Sequence, residues 1–331
     1  MLNKPEANQS HLDCLIIGAG MAGLLAATSL QRAGVRVRVV DKGRGLGGRM
    51  ATRRCDGAVF DHGAQFFTVR DPRFESWVLE WRDLDLVKPW YELGDAGTHF
   101  RGEPGMTAIA KHLAKEIDVR RQVVVENARF QNGSWTVSVR NGEEIMAQHL
   151  MITAPVPQAL ALLDAGNVKL NAEDDQALRA IEFHRCIAAL AILDRPSAIS
   201  SYQGALKLTG EPIQWISDNQ RKGISPNVPS VTIHSTPDFA NQYWDSDDSV
   251  SIPMLLDAAS EYVGAKAVSY QGHRWGFSQP RASFREEAFV DPHLQLAIAG
   301  DGLAGGRVEG AALSGLVAGK ALVDLIQSRS N

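Results

Sequence analysis

Three glycines near the start of the chain have the spacing of a dinucleotide-binding turn. They are Gly18, Gly20 and Gly23. An apolar run precedes them, and the small-residue segment 21–33, which includes Ala22, suits a helix packed closely on a sheet. The first glycine allows a tight turn, the second lets the backbone approach a pyrophosphate, and the third lets helix and strand touch. Amides at the start of that helix would face the phosphates.

An acidic residue and a basic loop follow at the positions that a long dinucleotide needs. Asp41 ends the next predicted strand, 35–40, and its carboxylate is expected to accept hydrogen bonds from the adenosine ribose. The loop directly after it contains Arg44, Gly48 and Arg49. Backbone amides and guanidinium groups bind phosphate well. The glycine spacing does not distinguish NAD from FAD, but this second phosphate-binding loop favours FAD.

A second glycine-rich turn, at 300–306, lies between a predicted strand at 294–299 and a predicted helix at 308–327. No further strand and acidic residue follow, so we reject a second nucleotide-binding domain. We expect Asp301 to meet the ribityl or pyrophosphate part of the same cofactor. The helix beginning at Val308 would direct its positive end at the flavin ring.

The elements between these two ends predict an α/β fold in which a Rossmann-type FAD-binding domain carries a β-meander and an inserted α+β substrate domain. An amphipathic helix follows Pro104 and Gly105. Asn-Gly dipeptides, which favour type I′ turns, separate three strands of the meander, and a further buried strand returns the chain to the parallel sheet. These four strands are predicted at 123–130, 135–140, 143–148 and 150–153.

The inserted domain is expected to hold a second sheet covered by a helix. Its strands are predicted at 186–193, 231–234 and 268–275, and its helix at 252–263. Residues 10–70, 104–155 and 285–331 are assigned to the FAD-binding domain, and residues 71–103 and 156–284 to the substrate domain.

Length and composition exclude several classes of protein. A chain of 331 residues is longer than one hydrophobic core usually serves, which favours two domains. A formal net charge of −4 argues against nucleic-acid binding. No apolar run reaches the roughly 18 residues of a membrane span, so no membrane partner is expected. Three widely spaced cysteines without a CxxC pair predict neither disulfides nor a metal site, and favour a cytoplasmic location.

Motifs spread from end to end make the chain resemble the flavin amine oxidase superfamily and, within it, the bacterial renalases. The motifs lie at 41–50, 61–67, 102–106, 273–275 and 306–311. The resemblance implies a p-hydroxybenzoate hydroxylase-like fold. By position it implies that FAD is lined by Gly20, Asp41, Lys42, Arg49, Gly63, Ala64, Gln65, Asp301, Arg307 and Val308, with Val125 bonding the adenine through its backbone.

The same resemblance implies an FAD-dependent oxidase. It would take hydride from the 2- or 6-dihydro isomers of NAD(P)H to flavin N5 and pass electrons to O2, giving NAD(P)+ and H2O2. Its partners would be a dihydronicotinamide dinucleotide and O2. A dihydropyridine gives up hydride without first losing an N–H proton, so no acid–base machinery is required. Trp275 is expected to border the substrate face of the flavin, with His184 and Arg274 as further candidate catalytic residues.

Three other functions remain open, because fold alone does not fix a substrate. One is a flavin-dependent amine oxidase or desaturase. Another is a flavin-free binding protein of the same fold, against which the loop 44–49 and the turn at 300–301 argue. The last is an NAD(P)H-dependent monooxygenase or reductase.

Overall fold

The structure, a computed structural model, describes residues 12–94, 97–282 and 284–330. The first two residues of the predicted FAD-binding domain (10 and 11), together with residues 283 and 331, lie outside the described residues. The strands are β1 (Leu12–Ile17), β2 (Val37–Asp41), β3 (Thr52–Cys55), β4 (Ala58–Asp61), β5 (Val87–Glu92), β6 (Thr98–Gly102), β7 (Asp118–Arg121), β8 (Val125–Gln131), β9 (Ser134–Val139), β10 (Glu144–Ile152), β11 (Phe183–Leu193), β12 (Ala205–Lys207), β13 (Ile213–Asp218), β14 (Ser230–Ser235), β15 (Ala267–Pro280), β16 (Phe289–Asp291) and β17 (Leu296–Ile298). The helices are α1 (Met21–Arg32), α2 (Pro72–Asp83), α3 (Thr107–Leu113), α4 (Val156–Ala165), α5 (Ala172–Arg179), α6 (Pro237–Gln242), α7 (Asp248–Val263), α8 (Asp301–Ala304) and α9 (Val308–Ser330).

The largest sheet in the described part of the chain has eight strands and is built around β1. Its main order is β16-β17-β10-β1-β2-β7, and the meander strands β9 and β8 extend from β10. β1 pairs in parallel with both β2 and β10. Residues of β1 alternate between two apolar cores, one on each face of the sheet, as expected for a central parallel strand. The predicted α/β class with a Rossmann-type domain is confirmed.

Strand β10 is one continuous element, whereas the sequence analysis predicted two separate strands there. Its first half pairs antiparallel with β9, and its second half pairs in parallel with β1. No glycine or proline interrupts the sequence between 144 and 152, so the backbone stays extended. The meander is therefore a direct continuation of the parallel sheet. The edge strand β7 was not predicted, because it is short and most of its residues are charged.

The two Asn-Gly turns of the meander differ in conformation. Asn132 and Gly133 both have positive φ, +52° and +75°, as a type I′ turn requires. At the second turn Gly142 has a φ of +86°, but Asn141 does not share it and instead accepts a 3.0 Å hydrogen bond from the N–H of Glu143. The type I′ prediction is confirmed at the first turn and wrong at the second.

Helices α1 and α9 lie in close contact through small residues. A methyl group on Gly315 would overlap the backbone of Ala22, and one on Gly319 would come within 3.1 Å of the Cα of Ala26. These glycines therefore allow the last helix to pack directly on the first. Both helices contribute side chains to the same apolar core.

The second sheet has the order β12-β13-β14-β11-β15, and its two faces differ in character. One face is apolar and packs under α7, with Ile187 and Ile233 against Ile252 and Leu255. The opposite face is polar and aromatic, and it contacts residues 61–66, called the crossing segment below. The predicted strands and covering helix of this sheet are confirmed, and each is longer than predicted.

Helix α2 joins the core that surrounds α1. Phe74, Val78 and Trp81 are buried there together with residues of α1 and α9. The division into an FAD-binding and a substrate domain at 71–103 stays a prediction. None of the helices in the described ranges combines the length and apolar character needed to cross a bilayer.

Candidate functional site

The turn between β1 and α1 leaves open space beside one glycine. Gly18 has a φ of +115°, a conformation that favours glycine. A methyl group on Gly23 would overlap the Gly18 carbonyl oxygen, whereas a methyl group on Gly20 would meet nothing within 4 Å. The N–H of Gly47 donates a 2.9 Å hydrogen bond to the Ala19 carbonyl, which folds the basic loop against this turn. The space at Gly20 is therefore bordered by two backbone turns.

Asp41 lies at the end of β2, and its carboxylate has hydrogen-bond acceptor positions that the protein does not fill. Its carboxylate accepts hydrogen bonds from the N–H groups of Ala19, at 2.7 Å, and Gly43, at 2.6 Å. A carboxylate has about four acceptor positions, so two remain for a ligand. The Val123 N–H donates to the Asp41 carbonyl at 2.9 Å, which brings the start of β8, and with it Val125, close to Asp41.

The next predicted cofactor residues are held by an ion pair between distant parts of the chain. The Arg49 guanidinium binds both oxygens of Asp301, at 2.9 and 2.6 Å, and the two side chains are 26% and 10% exposed. The Arg49 carbonyl accepts from the N–H of Ala64 at 2.8 Å. A methyl group on Gly48 would lie 3.7 Å from the Cα of Gly20. The structure thus brings these predicted residues together.

The other basic candidates are solvent-exposed. Lys42 and Arg44 follow β2, and the Lys42 ammonium lies 3.4 Å from the side-chain oxygen of Gln158. Arg307 is exposed directly before α9, whose first residue is the half-buried Val308.

The crossing segment is held on the polar face of the second sheet by its own backbone. The His62 carbonyl accepts two hydrogen bonds, from Trp275 Nε1 at 2.8 Å and from His234 Nε2 at 3.1 Å. A methyl group on Gly63 would lie 3.2 Å from the Trp275 ring. The same methyl group would overlap the Arg49 carbonyl oxygen at 1.9 Å, which is why glycine is required. The ring contact places the predicted substrate-side tryptophan against the segment predicted to line the flavin.

The side chain of Gln65 holds the same segment in place, and both its oxygen and its nitrogen make hydrogen bonds within the protein. Its oxygen accepts from Ser217 at 2.7 Å and Lys222 at 3.5 Å, and its nitrogen donates to the carbonyls of Asp61 at 2.5 Å and Gly63 at 3.0 Å. Gln65 is 6% exposed, yet its main-chain N–H has no acceptor in the described part of the chain. Buried amides without a partner are rare, so this N–H marks a place for a ligand acceptor.

A fully buried ion pair lies under the crossing segment. Lys222 Nζ and Asp61 Oδ2 are 2.8 Å apart, and both side chains are 0% exposed. Asp61 Oδ1 also accepts from the Thr52 hydroxyl at 2.6 Å and the Met106 N–H at 2.9 Å. Burial lowers the pKa of the Lys222 ammonium, while the adjacent Asp61 opposes that shift. Sequence reasoning missed this pair because Lys222 stands in a polar run typical of a solvated loop.

Three imidazoles near the crossing segment are uncharged at neutral pH. Burial lowers the pKa of His62 to about 3, and that of both His234 and His273 to about 4. Arg53 donates to Nδ1 of His273 at 3.2 Å, so that nitrogen is unprotonated. His62 Nδ1 is buried and has no partner among the residues described. The polar face therefore presents neutral rings.

These histidines should make the protein less stable in mild acid. Their folded-state pKa values lie below the ordinary value of 6.5, so the unfolded chain binds more protons as the pH falls from about 6.5 to about 4, and stability is lost across that window. His234→Gln keeps an N–H for the His62 carbonyl and removes one titrating group. We measure the free energy of unfolding in urea between pH 6 and pH 5. Its slope against pH should be shallower in this variant than in wild type by about 1 kcal/mol per pH unit. The matched variant of exposed His293, His293→Gln, should leave the slope unchanged, and equal slopes in both variants would contradict the assignment.

The three candidate catalytic residues occupy different places. Trp275 lies against the crossing segment, but Arg274 faces the other side of β15, where it binds Asp248 and donates to the Trp244 carbonyl at 2.9 Å. Successive side chains alternate across a strand, so these neighbours are separated. His184 lies on β11, and its Nδ1 is buried without a partner in the described ranges. The structure thus brings Trp275, and not Arg274, to the crossing segment.

Six aromatic rings gather beside the end of the crossing segment, and they are called the aromatic cluster below. They belong to Phe66, Trp90, Tyr91, His99, Tyr202 and Trp215. The sequence analysis did not identify this group, because its members come from five separate stretches of chain. Proximity in the fold is what reveals it.

Two family models together match nearly the whole chain. Residues 16–80 match an NAD(P)-binding Rossmann-like domain, and residues 82–322 match the flavin containing amine oxidoreductases. The chain belongs to the flavin containing amine oxidoreductase family. It is a flavin-dependent oxidoreductase, and its cofactor is FAD.

Individual relatives match in part. The acetone monooxygenase (methyl acetate-forming) of Gordonia sp. is 30% identical over 157 residues, 44% of this chain and 26% of that protein. The L-amino acid dehydrogenase of Synechocystis sp. is 38% identical over 77 residues, 22% of this chain and 16% of that protein. The matched segments therefore span about a quarter of these relatives' lengths, or less.

Solved structures share the fold over almost the full chain. A putrescine oxidase superposes with a TM-score of 0.74 at 15% identity, covering 96% of this chain and 99% of that one. Cyclohexylamine oxidase from Brevibacterium oxydans gives a TM-score of 0.72 at 14% identity, with coverages of 96% and 100%. At such identities the likeness establishes the fold alone.

The residues present fit FAD. The open space at Gly20, the spare acceptor positions of Asp41 and the unpaired N–H of Gln65 are features that a dinucleotide with an extended flavin would use.

Proposed function

We propose that this protein is an FAD-dependent oxidase of the 2- or 6-dihydro isomers of NAD(P)H, producing NAD(P)+ and H2O2. Bound FAD would supply the hydride acceptor and the electron route to O2. Gly20, Asp41, Arg49 and Asp301 would hold the cofactor. The renalase-like motifs spread along the chain support this substrate class over the others that the fold serves.

The composition of the polar face of the second sheet carries this proposal. The polar and aromatic strand residues on this face include Trp215, Ser217, Thr232, His234, His273 and Trp275, and Cys186, Ala188 and Leu190 of β11 lie among them. None of them is a carboxylate, and the buried Asp61 beyond the face is already paired with Lys222. The three imidazoles are neutral and are held as hydrogen-bonding or stacking groups. Such a face positions an uncharged ring, and it suits a donor from which no proton must first be removed.

The decisive experiment is an anaerobic titration of the purified holoprotein with separated dihydronicotinamide isomers. The 2- or 6-dihydro form should bleach the flavin absorbance, and admitting O2 should restore the colour with one H2O2 per NAD(P)+ formed. The ordinary 4-dihydro isomer serves as the matched control and should bleach far more slowly. Bleaching by putrescine or an aromatic amine, with no response to any dihydronicotinamide, would overturn the proposal.

Trp275 should be needed for the reaction with substrate and not for retention of the cofactor. Trp275→Ala removes the ring beside Gly63, so we expect stoichiometric FAD with flavin bleaching slowed by about tenfold to a hundredfold. Trp275→Phe keeps a ring and should lie between the two. Stopped-flow absorbance at saturating dihydronicotinamide checks this, and wild-type rates in Trp275→Ala would assign the residue to packing alone.

Amine oxidation is the second candidate function, and family membership favours it. The structural neighbours include a putrescine oxidase and a cyclohexylamine oxidase. The polar face offers no carboxylate to pair with an alkylammonium ion, but the faces of aromatic rings such as those near Phe66 can also receive one. The amine arms of the titration above distinguish the two candidates directly.

A further inference from the structure

The aromatic cluster begins at the residue that follows Gln65. The Phe66 ring lies 4.6 Å from that of His99 and 5.4 Å from that of Trp215, measured between centroids. Phe66 and Trp215 are both only partly buried, unlike the rings of the main core. A group of large rings with accessible surface next to a cofactor segment has the character of a ligand site.

A strained loop borders the cluster on its outer side. Tyr202 and Gln203 adopt left-handed backbone conformations, with φ of +41° and +58°. Such conformations are costly for residues other than glycine and persist where surrounding contacts enforce them. Trp90 Nε1 donates to the Gln203 carbonyl at 3.0 Å, and the Tyr202 ring, 52% exposed, packs 5.6 Å from Tyr91. The loop is thereby held against the cluster.

The polar groups of the cluster define what it can bind. Trp215 Nε1 is buried and finds no acceptor among the described residues, although buried indole N–H groups usually have one. The Lys222 ammonium lies 4.9 Å from the centre of the Trp90 ring, on a cluster that contains no carboxylate. That ammonium is paired with Asp61 at 2.8 Å, so the cluster offers no free charge to attract an ionic ligand. A ligand with a carbonyl oxygen would satisfy the indole.

We infer that the aromatic cluster binds a planar, uncharged ring that carries a carbonyl or carboxamide group. The ring packs on Phe66, and its carbonyl oxygen accepts from Trp215 Nε1. A pyridine or dihydropyridine carboxamide has this chemistry, so the inference rests on the proposed function and assigns residues to the recognition of its substrate. The binding itself is measurable without turnover.

The test compares nicotinamide with pyridine as ligands of the holoprotein, by calorimetry at neutral pH. The two probes share a ring and differ in the carboxamide. Wild type should bind nicotinamide about fivefold to tenfold more tightly than pyridine, because one additional hydrogen bond contributes a free energy of this size. Trp215→Phe keeps a ring and removes the donor, so the two affinities should become equal. Phe66→Leu keeps an apolar group and should weaken both ligands by a similar factor.

Trp81→Phe is the matched control. Trp81 Nε1 is also buried without an acceptor in the described ranges, but its ring packs on Phe74 and Trp77 in the main core. This variant should keep the wild-type preference for nicotinamide. An unchanged preference in Trp215→Phe, or tighter binding of benzylammonium than of nicotinamide, overturns the inference.

The two proposals fail separately. A loss of preference in Trp215→Phe supports the binding site even where no dihydronicotinamide bleaches the flavin. If those isomers bleach the flavin and Trp215→Phe keeps the preference for nicotinamide over pyridine, the inferred binding site is rejected. The proposed function is then still supported.

Discussion

A Gly20→Val variant will fold and will not retain FAD. A side chain at this position points into open space in the protein, so no part of the chain resists it. That same space adjoins the N-terminus of α1 and the turn at Gly48, where backbone donors would meet the pyrophosphate. We expect FAD affinity to fall by about a hundredfold or more, a loss of about 2.7 kcal/mol. Flavin absorbance after gel filtration measures it.

Gly45→Val provides the control for this variant. Gly45 is exposed and lies in the same basic loop, and a methyl group on it would also meet nothing within 4 Å. It serves as the folding control, and the two apoproteins should unfold at similar urea concentrations. Stoichiometric flavin in Gly20→Val would remove the basis for placing the pyrophosphate beside α1.

Replacing Lys222 with methionine should cause the largest loss of stability among single changes near the site. The substitution leaves Asp61 fully buried with its charge unpaired, which costs about 3–5 kcal/mol. The free energy of unfolding in urea, at pH 7, measures this loss. A second substitution, Asp61→Asn, removes the unpaired charge, so the double variant should recover a large part of the loss.

An exposed pair shows what the same substitution does without burial. Lys320 and Asp324 are 2.6 Å apart on α9, with side chains 75% and 59% exposed. Lys320→Met should change the free energy of unfolding by no more than about 0.5 kcal/mol. If Lys222→Met were as mild, the Lys222–Asp61 pair would not be holding the crossing segment in place.

The nucleotide-binding half could be predicted from sequence because its signals are local. Gly18, Gly20, Gly23 and Asp41 stand at fixed spacings within one βαβ unit, and each occupies the predicted place in the turn or at the end of β2. Backbone geometry dictates such spacings. Whether these residues bind FAD as assigned stays a prediction for the Gly20 variant to test.

The substrate side resisted prediction because its contacts join distant segments. Nothing in the local sequence pairs Lys222 with Asp61, or Trp215 with Phe66, since both pairs depend on how the second sheet lies on the crossing segment. Sequence reasoning named both Trp275 and Arg274 as candidate catalytic residues, although strand alternation turns Arg274 away. The continuity of β10 was also missed, because a run of mixed polarity conceals an unbroken strand.

The contact between α1 and α9 sets an order of events during protein synthesis. The first helix leaves the ribosome long before the residues that cover it, so its small-residue face at Ala22 waits until Gly315 emerges. Asp301 arrives at the same late stage, and until then Arg49 lacks its partner. A nascent chain that holds the complete glycine turn therefore lacks both of these contacts. The FAD site assigned above would be complete only once α9 has been translated.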